Sequence, residues 1–275
     1  MALSSMVTAG VVFASVAAHA ATVTYTGGGT DPSDLSKTDN WDPSSWTSSD
    51  TLSLSGAKNG LNYKMTAALP AAAQLTLKGF ASPRTVDFGD FLSNVPKLVG
   101  DSNTYGQKIT LKGGADNLTL LQVGMNTFLV LDDGVFHIGT GKFVLSSWNS
   151  QLWVNKGAEV IVDKITAGDN CGAVGNTGSY NAYLHLDGGK VTVKGGGSDI
   201  QSISFAGTDS SFEMVNGATL INDSVASRLI LNSSHADGGA GARMKIADST
   251  LLMTNCNNGA CGLLIHPHAS SFTAT

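Results

Sequence analysis

Along much of the chain, apolar residues alternate with polar ones for four or five positions, pause at a Gly or Asx corner, and resume. LHLDGGKVTV, from Leu184 to Val193, is a clear instance. The pattern returns in FLVLDDGVFHIG from Phe128, QLWVNKGAEVIV from Gln151, AYLHLDGGKVTV from Ala182, SFEMVNGATLIN from Ser211 and RMKIADSTLLM from Arg243. Such alternation marks strands with one buried face. The last apolar residues before the corners are Leu131, Val154, Leu186, Met214 and Ile246, separated by 23, 32, 28 and 32 residues. Recurrence at roughly 20–50 residues signals a solenoid or a propeller, but a propeller blade needs four strands in about 40–45 residues. A coil of two or three short strands fits these intervals, so the expected fold is all-β, a parallel β-helix or β-solenoid. The longer intervals hold the Gly-rich runs AGDNCGAVGNTGSYN and NSSHADGGAGA, which are read as loops leaving the coil.

The corners are legible too. Leu131 to Phe136 and Leu186 to Val191 are odd steps. An odd step reverses the alternation, so the chain must turn there to keep both strands facing inward. Gly134, Gly188 and Gly189 suit the positive φ of such corners, and Asp132, Asp133, Asp187 and Asn216 favour the same turns. These acids are therefore read as corner residues. After the first twenty residues no stretch sustains a helical period, although MTAALPAAA and DFLSNV suggest short helical turns. Residues 21–106 are less regular but strand-like, as in TLSLSG, QLTLKG and RTVDFGDF. They are expected to form a cap and the first coils, with residues 107–275 forming the repeats. An open stack of strands invites edge pairing, so a cap is physically required.

Composition narrows the setting. The 275 residues are 42% hydrophobic and only 13% charged, with 33 glycines. A surface of hydroxyls, amides and glycine suits exported β proteins. The net charge of −5 and the absence of a basic run argue against nucleic acid and against anionic membranes as partners. Residues 1–20 read as a signal peptide: GVVFASVAA leads to Ala18-His19-Ala20, an A-x-A pattern before Ala21. The positive n-region is missing, which points to a start further upstream. No later apolar run is long enough for a membrane helix. Three cysteines are an odd count for an exported chain. Cys256 and Cys261 could close a small disulfide loop, leaving Cys171 alone; unpaired thiols are the other reading.

The start of the mature segment, ATVTYTGGGTDPSDLSKTDNW, resembles the T-W-T-G-G-G…N-W opening of bacterial exported proteins with autotransporter-associated β-strand repeats. LHLDGGKVTV and MVNGATLIN resemble the repeats of those passengers. The resemblance implies a right-handed parallel β-helix and a place at or beyond the bacterial outer membrane. Tyr25 stands where that family usually has Trp. No run of strands suited to a membrane barrel follows, and the chain stops in mid-pattern at SSFTAT. The expectation is a fragment of a longer protein, or another route to the surface.

Catalytic chemistry is sparse. The carboxylate pairs Asp132/Asp133 and Asp87/Asp90 show no partners that would push two pKa values apart. No nucleophile elbow, zincin, phosphate-loop or dinucleotide motif occurs, and tandem calcium-binding nonapeptides are lacking. His266-Pro267-His268 is a lone HxH pair, so neither metal nor cofactor is expected. Alternation turns Trp153, Tyr183 and His185 outward, and these are the candidate binding residues. If the rows stack, Val130, Trp153, His185, Glu213 and Lys245 form one outward column. The reading is a secreted or surface-attached scaffold or adhesin-like passenger that contacts polysaccharide or cell-surface molecules without turnover. The alternatives are a polysaccharide lyase or glycosidase on a β-helix, or a polysaccharide-binding module.

Overall fold

The computed structural model describes residues 20–55, 61–101, 107–145, 149–164, 172–174, 182–194, 202–205, 211–223, 228–231, 243–254, 262–265 and 271–274. Residues 1–19, which hold most of the expected signal peptide, and Cys171, Cys256, Cys261, His266 and His268 lie outside them. Among the described residues the chain is all-β, with one 3-10 turn at Thr38–Asn40. The strands form two long sheets, one of nine strands and one of fifteen. Among the described residues every pairing between strands is parallel except that of Thr22–Tyr25 with Trp41–Asp42. This arrangement is consistent with a β-solenoid.

Two rows make up the larger sheet. The strands Gly114–Val123 and Gly134–Leu145 are long enough to cross both and join them. In one row Leu52, Leu75, Leu98 and Leu121 are successive partners, each 23 residues after the last. All four are fully buried. Thus residues 51–100, the part with the least regular pattern, are in register with the later coils. The nine-stranded sheet is the third row. There Leu131, Val154, Leu186, Met214 and Ile246 are consecutive partners, as the corner spacing predicted. The first four are fully buried and Ile246 packs partly against the core. The core is therefore a set of stacked aliphatic columns, each residue packing on its counterparts one coil above and below. Burying one such side chain contributes about 1.5–3 kcal/mol.

Corners do what the odd steps require. Gly134 has φ 87°, and a Cβ there would sit 1.6 Å from the Gly113 carbonyl oxygen. Only glycine fits so close an approach of one coil to the next. Asn126 and Asn149 both adopt positive φ, 52° and 53°, and the Asn149 amide donates to Asn126 Oδ1 at 2.9 Å.

The GGG…NW segment is held by one side chain. Asn40 is fully buried. Its Oδ1 accepts the Gly29 amide at 2.8 Å, and its Nδ2 donates to the carbonyls of Asp31 and Asp34 at 2.8 and 2.9 Å. The Trp41 indole donates to the Leu35 carbonyl at 2.8 Å, and its ring meets Tyr25 edge-on. Tyr25 also meets Tyr63 edge-on, so Tyr25 sits within an aromatic cluster.

Two local expectations are corrected. MTAALPAAA and DFLSNV form no helical turns; Leu69, Ala72, Leu92 and Val95 are instead buried, and Leu92 bridges to Ala115. Docking into the core overrides the weak helix propensity of segments this short. The run AGDNCGAVGNTGSYN is not all loop. Gly172–Val174 is a strand between Phe143–Leu145 and Ile203–Phe205, too short to show alternation.

Candidate functional site: the outer face of the nine-stranded sheet

On the outer face of this sheet the expected column is present. Val130 pairs with Trp153, Trp153 with His185, His185 with Glu213 and Glu213 with Lys245. Parallel strands lie about 4.8 Å apart, which brings such neighbours into contact. The Trp153 and His185 rings stack at 4.1 Å between centroids, tilted by 36°. Lys245 Nζ lies 2.5 Å from Glu213 Oε1. A second outward column, two residues earlier on each strand, holds Phe128, Gln151, Tyr183, Ser211 and Arg243. Phe128 and Tyr183 flank Trp153 at 5.5 and 6.1 Å.

The columns are tied together diagonally. The Tyr183 hydroxyl donates a short hydrogen bond to Glu213 Oε2 and lies 2.8 Å from His185 Nδ1. His185 Nδ1 is itself 3.0 Å from Glu213 Oε2. Burial, then the bond to Glu213, push the Tyr183 phenol far above its ordinary value, so it stays protonated. Burial alone would raise the Glu213 carboxyl. Hydrogen bonds from Lys245 and Tyr183 and the charges of His185 and Lys245 outweigh it, so Glu213 is held below the usual carboxylate range. At neutral pH the centre is thus an ionised acid ringed by donors.

One expectation needs correction. Alternation sets which way a side chain points, not what covers it. His185 points away from the core yet is only 6% exposed, packed among Trp153, Tyr183 and Glu213. Trp153 is half-buried, and its indole N–H is buried without an acceptor. The aromatic face offered to solvent is therefore smaller than expected, and the open part of the surface lies one coil further on. There a groove of about 420 Å³ is lined by Tyr183, Ser211, Glu213, Arg243 and Lys245. Sequence reasoning passed over Arg243, although its place two residues before Lys245 puts both cations on one face.

The acid pairs have corner roles. Lys112 Nζ lies 3.1 Å from Asp132 and 3.9 Å from Asp133. The Asn155 amide donates to Asp132 at 3.0 Å, and Asp133 accepts the Gly113 amide at 2.7 Å. Hydrogen bonds from Asn155 and then Lys112 lower the Asp132 carboxyl. Asp87 accepts the Gly89 amide at 3.0 Å, and Asp90 turns the chain at φ 62°. Among the described residues no group of three His, Cys, Asp or Glu side chains is placed to hold a metal ion, and no helix is long and apolar enough to cross a membrane.

Comparison with protein-family models, with curated proteins and with solved structures finds no match for the chain.

Proposed function

We propose that the chain is an exported, non-enzymatic bacterial β-solenoid, a right-handed parallel β-helix that acts as a scaffold or adhesin-like passenger at or beyond the cell surface. The observation that carries this reading is the ladder from Trp153 to Lys245 on the nine-stranded sheet. Its acid, Glu213, is paired with Lys245, accepts a hydrogen bond from Tyr183 and lies 3.0 Å from His185, and among the described residues it is paired with no second carboxylate. Glycoside cleavage needs an acid and a base whose pKa values are set apart. The ladder suits contact rather than turnover. The right-handed sense is supported by the near-universal handedness of parallel crossovers. The Asn40–Trp41 network, with its antiparallel strand pair, supports a role for the first residues as the cap that blunts one end of the stack. The likeness of ATVTYTGGGTDPSDLSKTDNW and of the Gly-cornered rows to autotransporter-associated repeats supports the surface location. Incubation with pectin, alginate and related polysaccharides should release no product. Product release abolished by Glu213→Gln or Asp132→Asn would refute the non-enzymatic reading.

A further inference from the structure

A second concave feature lies on the larger sheet, at the stack of glycine corners. In one outward column Gly114 pairs with Val135, Val135 with Glu159 and Glu159 with Lys190. Glu159 and Lys190 fill their places with long side chains paired at 2.9 Å. Gly114 has no side chain, and a notch of about 290 Å³ opens there, floored by Gly113 and Gly114 and lined also by Asp90, Asp116 and Val135. The floor must be glycine. A Cβ on Gly114 would lie 2.6 Å from the Val135 carbonyl oxygen, and one on Gly113 would lie 2.4 Å from the Gly89 amide nitrogen. The two carboxylates at the notch are uncommitted. Lys112, the cation of this corner, pairs with Asp132 and Asp133. His137 lies opposite Asp116 and Asn117, where the register shifts between Phe136 and Ile138, but its ring is paired with Asp163. Among the described residues the side chains of Asp90 and Asp116 make no hydrogen bond or ion pair. Two exposed large apolar side chains, Phe91 and Val135, belong to the same corner. Phe91 follows Asp90 and packs its ring over Gly89. Unpaired carboxylates beside apolar surface suit a protonated amine on a body with an apolar face. The volume is at the small end for ligand sites, enough for one ring. Bare glycine backbone leaves carbonyl lone pairs for hydroxyl groups. A hexosamine carries all three: an ammonium, hydroxyls and a C–H face.

We propose that this glycine notch binds amino sugars, specifically the glucosamine-type units of a deacetylated polysaccharide, with Asp90 and Asp116 taking the ammonium and Val135 meeting the ring. The notch is separate from the ladder on the nine-stranded sheet. The proposal rests on the reading of the chain as a contact scaffold and gives that scaffold a ligand class.

Calorimetric titration of the full chain tests it, at about pH 6, where aspartate is ionised and amines are protonated. The titrants are glucosamine oligomers, their N-acetylated counterparts of equal length, and oligolysine. The glucosamine oligomer should bind, the acetylated one should not, and oligolysine should bind at least tenfold more weakly, a difference of about 1.4 kcal/mol. Asp90→Asn and Asp116→Asn should each weaken binding about tenfold or more, the loss expected for one charge-assisted contact. Asp248→Asn removes an equal charge at a distant corner and should leave binding unchanged. Thermal melts of the three variants should match the parent, because each side chain is exposed and asparagine also accepts the positive φ of Asp90 and Asp248. Equal binding of the acetylated oligomer or of oligolysine, an equal loss in Asp248→Asn, or no binding of the glucosamine oligomer would overturn the proposal. Shortening of the oligomer would refute the non-enzymatic reading instead, while the same affinities still judge the notch.

Discussion

Asn40→Ala removes a side chain that serves three backbone groups at once. The bond to the Asp34 carbonyl is fully buried, whereas those to Gly29 and Asp31 are partly buried. An orphaned buried group costs about 1–3 kcal/mol, and a group that water can reach loses only the net bond, about 0.5–1.5 kcal/mol. The three together predict a loss of about 2–6 kcal/mol. In a solenoid each coil contacts chiefly its neighbours, so the damage should stay local. Hydrogen exchange followed residue by residue is the suitable assay. Amides of residues 22–42 should lose protection by that amount, while those of Gln151–Asn155 and Tyr183–Asp187 keep theirs. Asn40→Asp keeps the acceptor but turns a charge toward two carbonyls, and should be at least as harmful. Ser45→Ala, at an exposed position of the same segment, should do nothing. A loss below about 0.5 kcal/mol in Asn40→Ala would refute the assignment of this side chain as the segment's organiser.

Other perturbations have equally definite outcomes. Leu186→Ala opens a cavity between Val154 and Met214 in the interior column and should cost about 2–5 kcal/mol in denaturant unfolding; a loss under 1 kcal/mol by the same measure would argue against that column. Gly134→Ala drives a Cβ into the Gly113 carbonyl at 1.6 Å and should destabilise by more than the roughly 1–2 kcal/mol of left-handed strain alone, read as a drop in denaturant midpoint or as loss of soluble protein. Burial alone would raise the Asp34 carboxyl, but hydrogen bonds from Ser36 and Thr66 bring it below its ordinary value of 3.8. A group lowered in the folded state stabilises above its unfolded value and loses that contribution as pH falls through the folded one. Protection of residues 22–42 should therefore decline below about pH 4, and Asp34→Asn should flatten that decline; an unchanged acid limb would contradict it.

The fold was readable where the chain repeats itself. Leu131, Val154, Leu186, Met214 and Ile246 share a place before a corner, and inward columns follow from that alone. The even 23-residue spacing of Leu52, Leu75, Leu98 and Leu121 was also present in the sequence. It was obscured because those rows are followed by irregular segments rather than by Gly-cornered partners. Gly172–Val174 could not be found by alternation, since three residues carry no period. At the site, the Trp153–His185 contact was legible because partners in register must touch. The reach of Tyr183 to Glu213 was not, because it is a diagonal contact set by side-chain length. The burial of His185 was hidden for a similar reason: direction follows from backbone alternation, but cover depends on the size of Trp153 and Tyr183 beside it. Asn40 and Trp41 were visible as a motif, but their work on the backbone of residues 29–35 needed coordinates.

The parallel, in-register stacking of coils underlies both the core and the candidate site, and engineered disulfides test it directly. Glu159 and Lys190 are partners on adjacent coils, with their side chains in contact at 2.9 Å. Neighbouring strands place Cα atoms within the roughly 4.4–6.8 Å that a disulfide spans. In a background with the three native cysteines replaced by serine, Glu159→Cys/Lys190→Cys should crosslink fully under mild oxidation. Glu159→Cys/Thr219→Cys, one coil further along the same column, should not. Crosslinking of the second pair, or failure of the first, would contradict the stacked parallel coils.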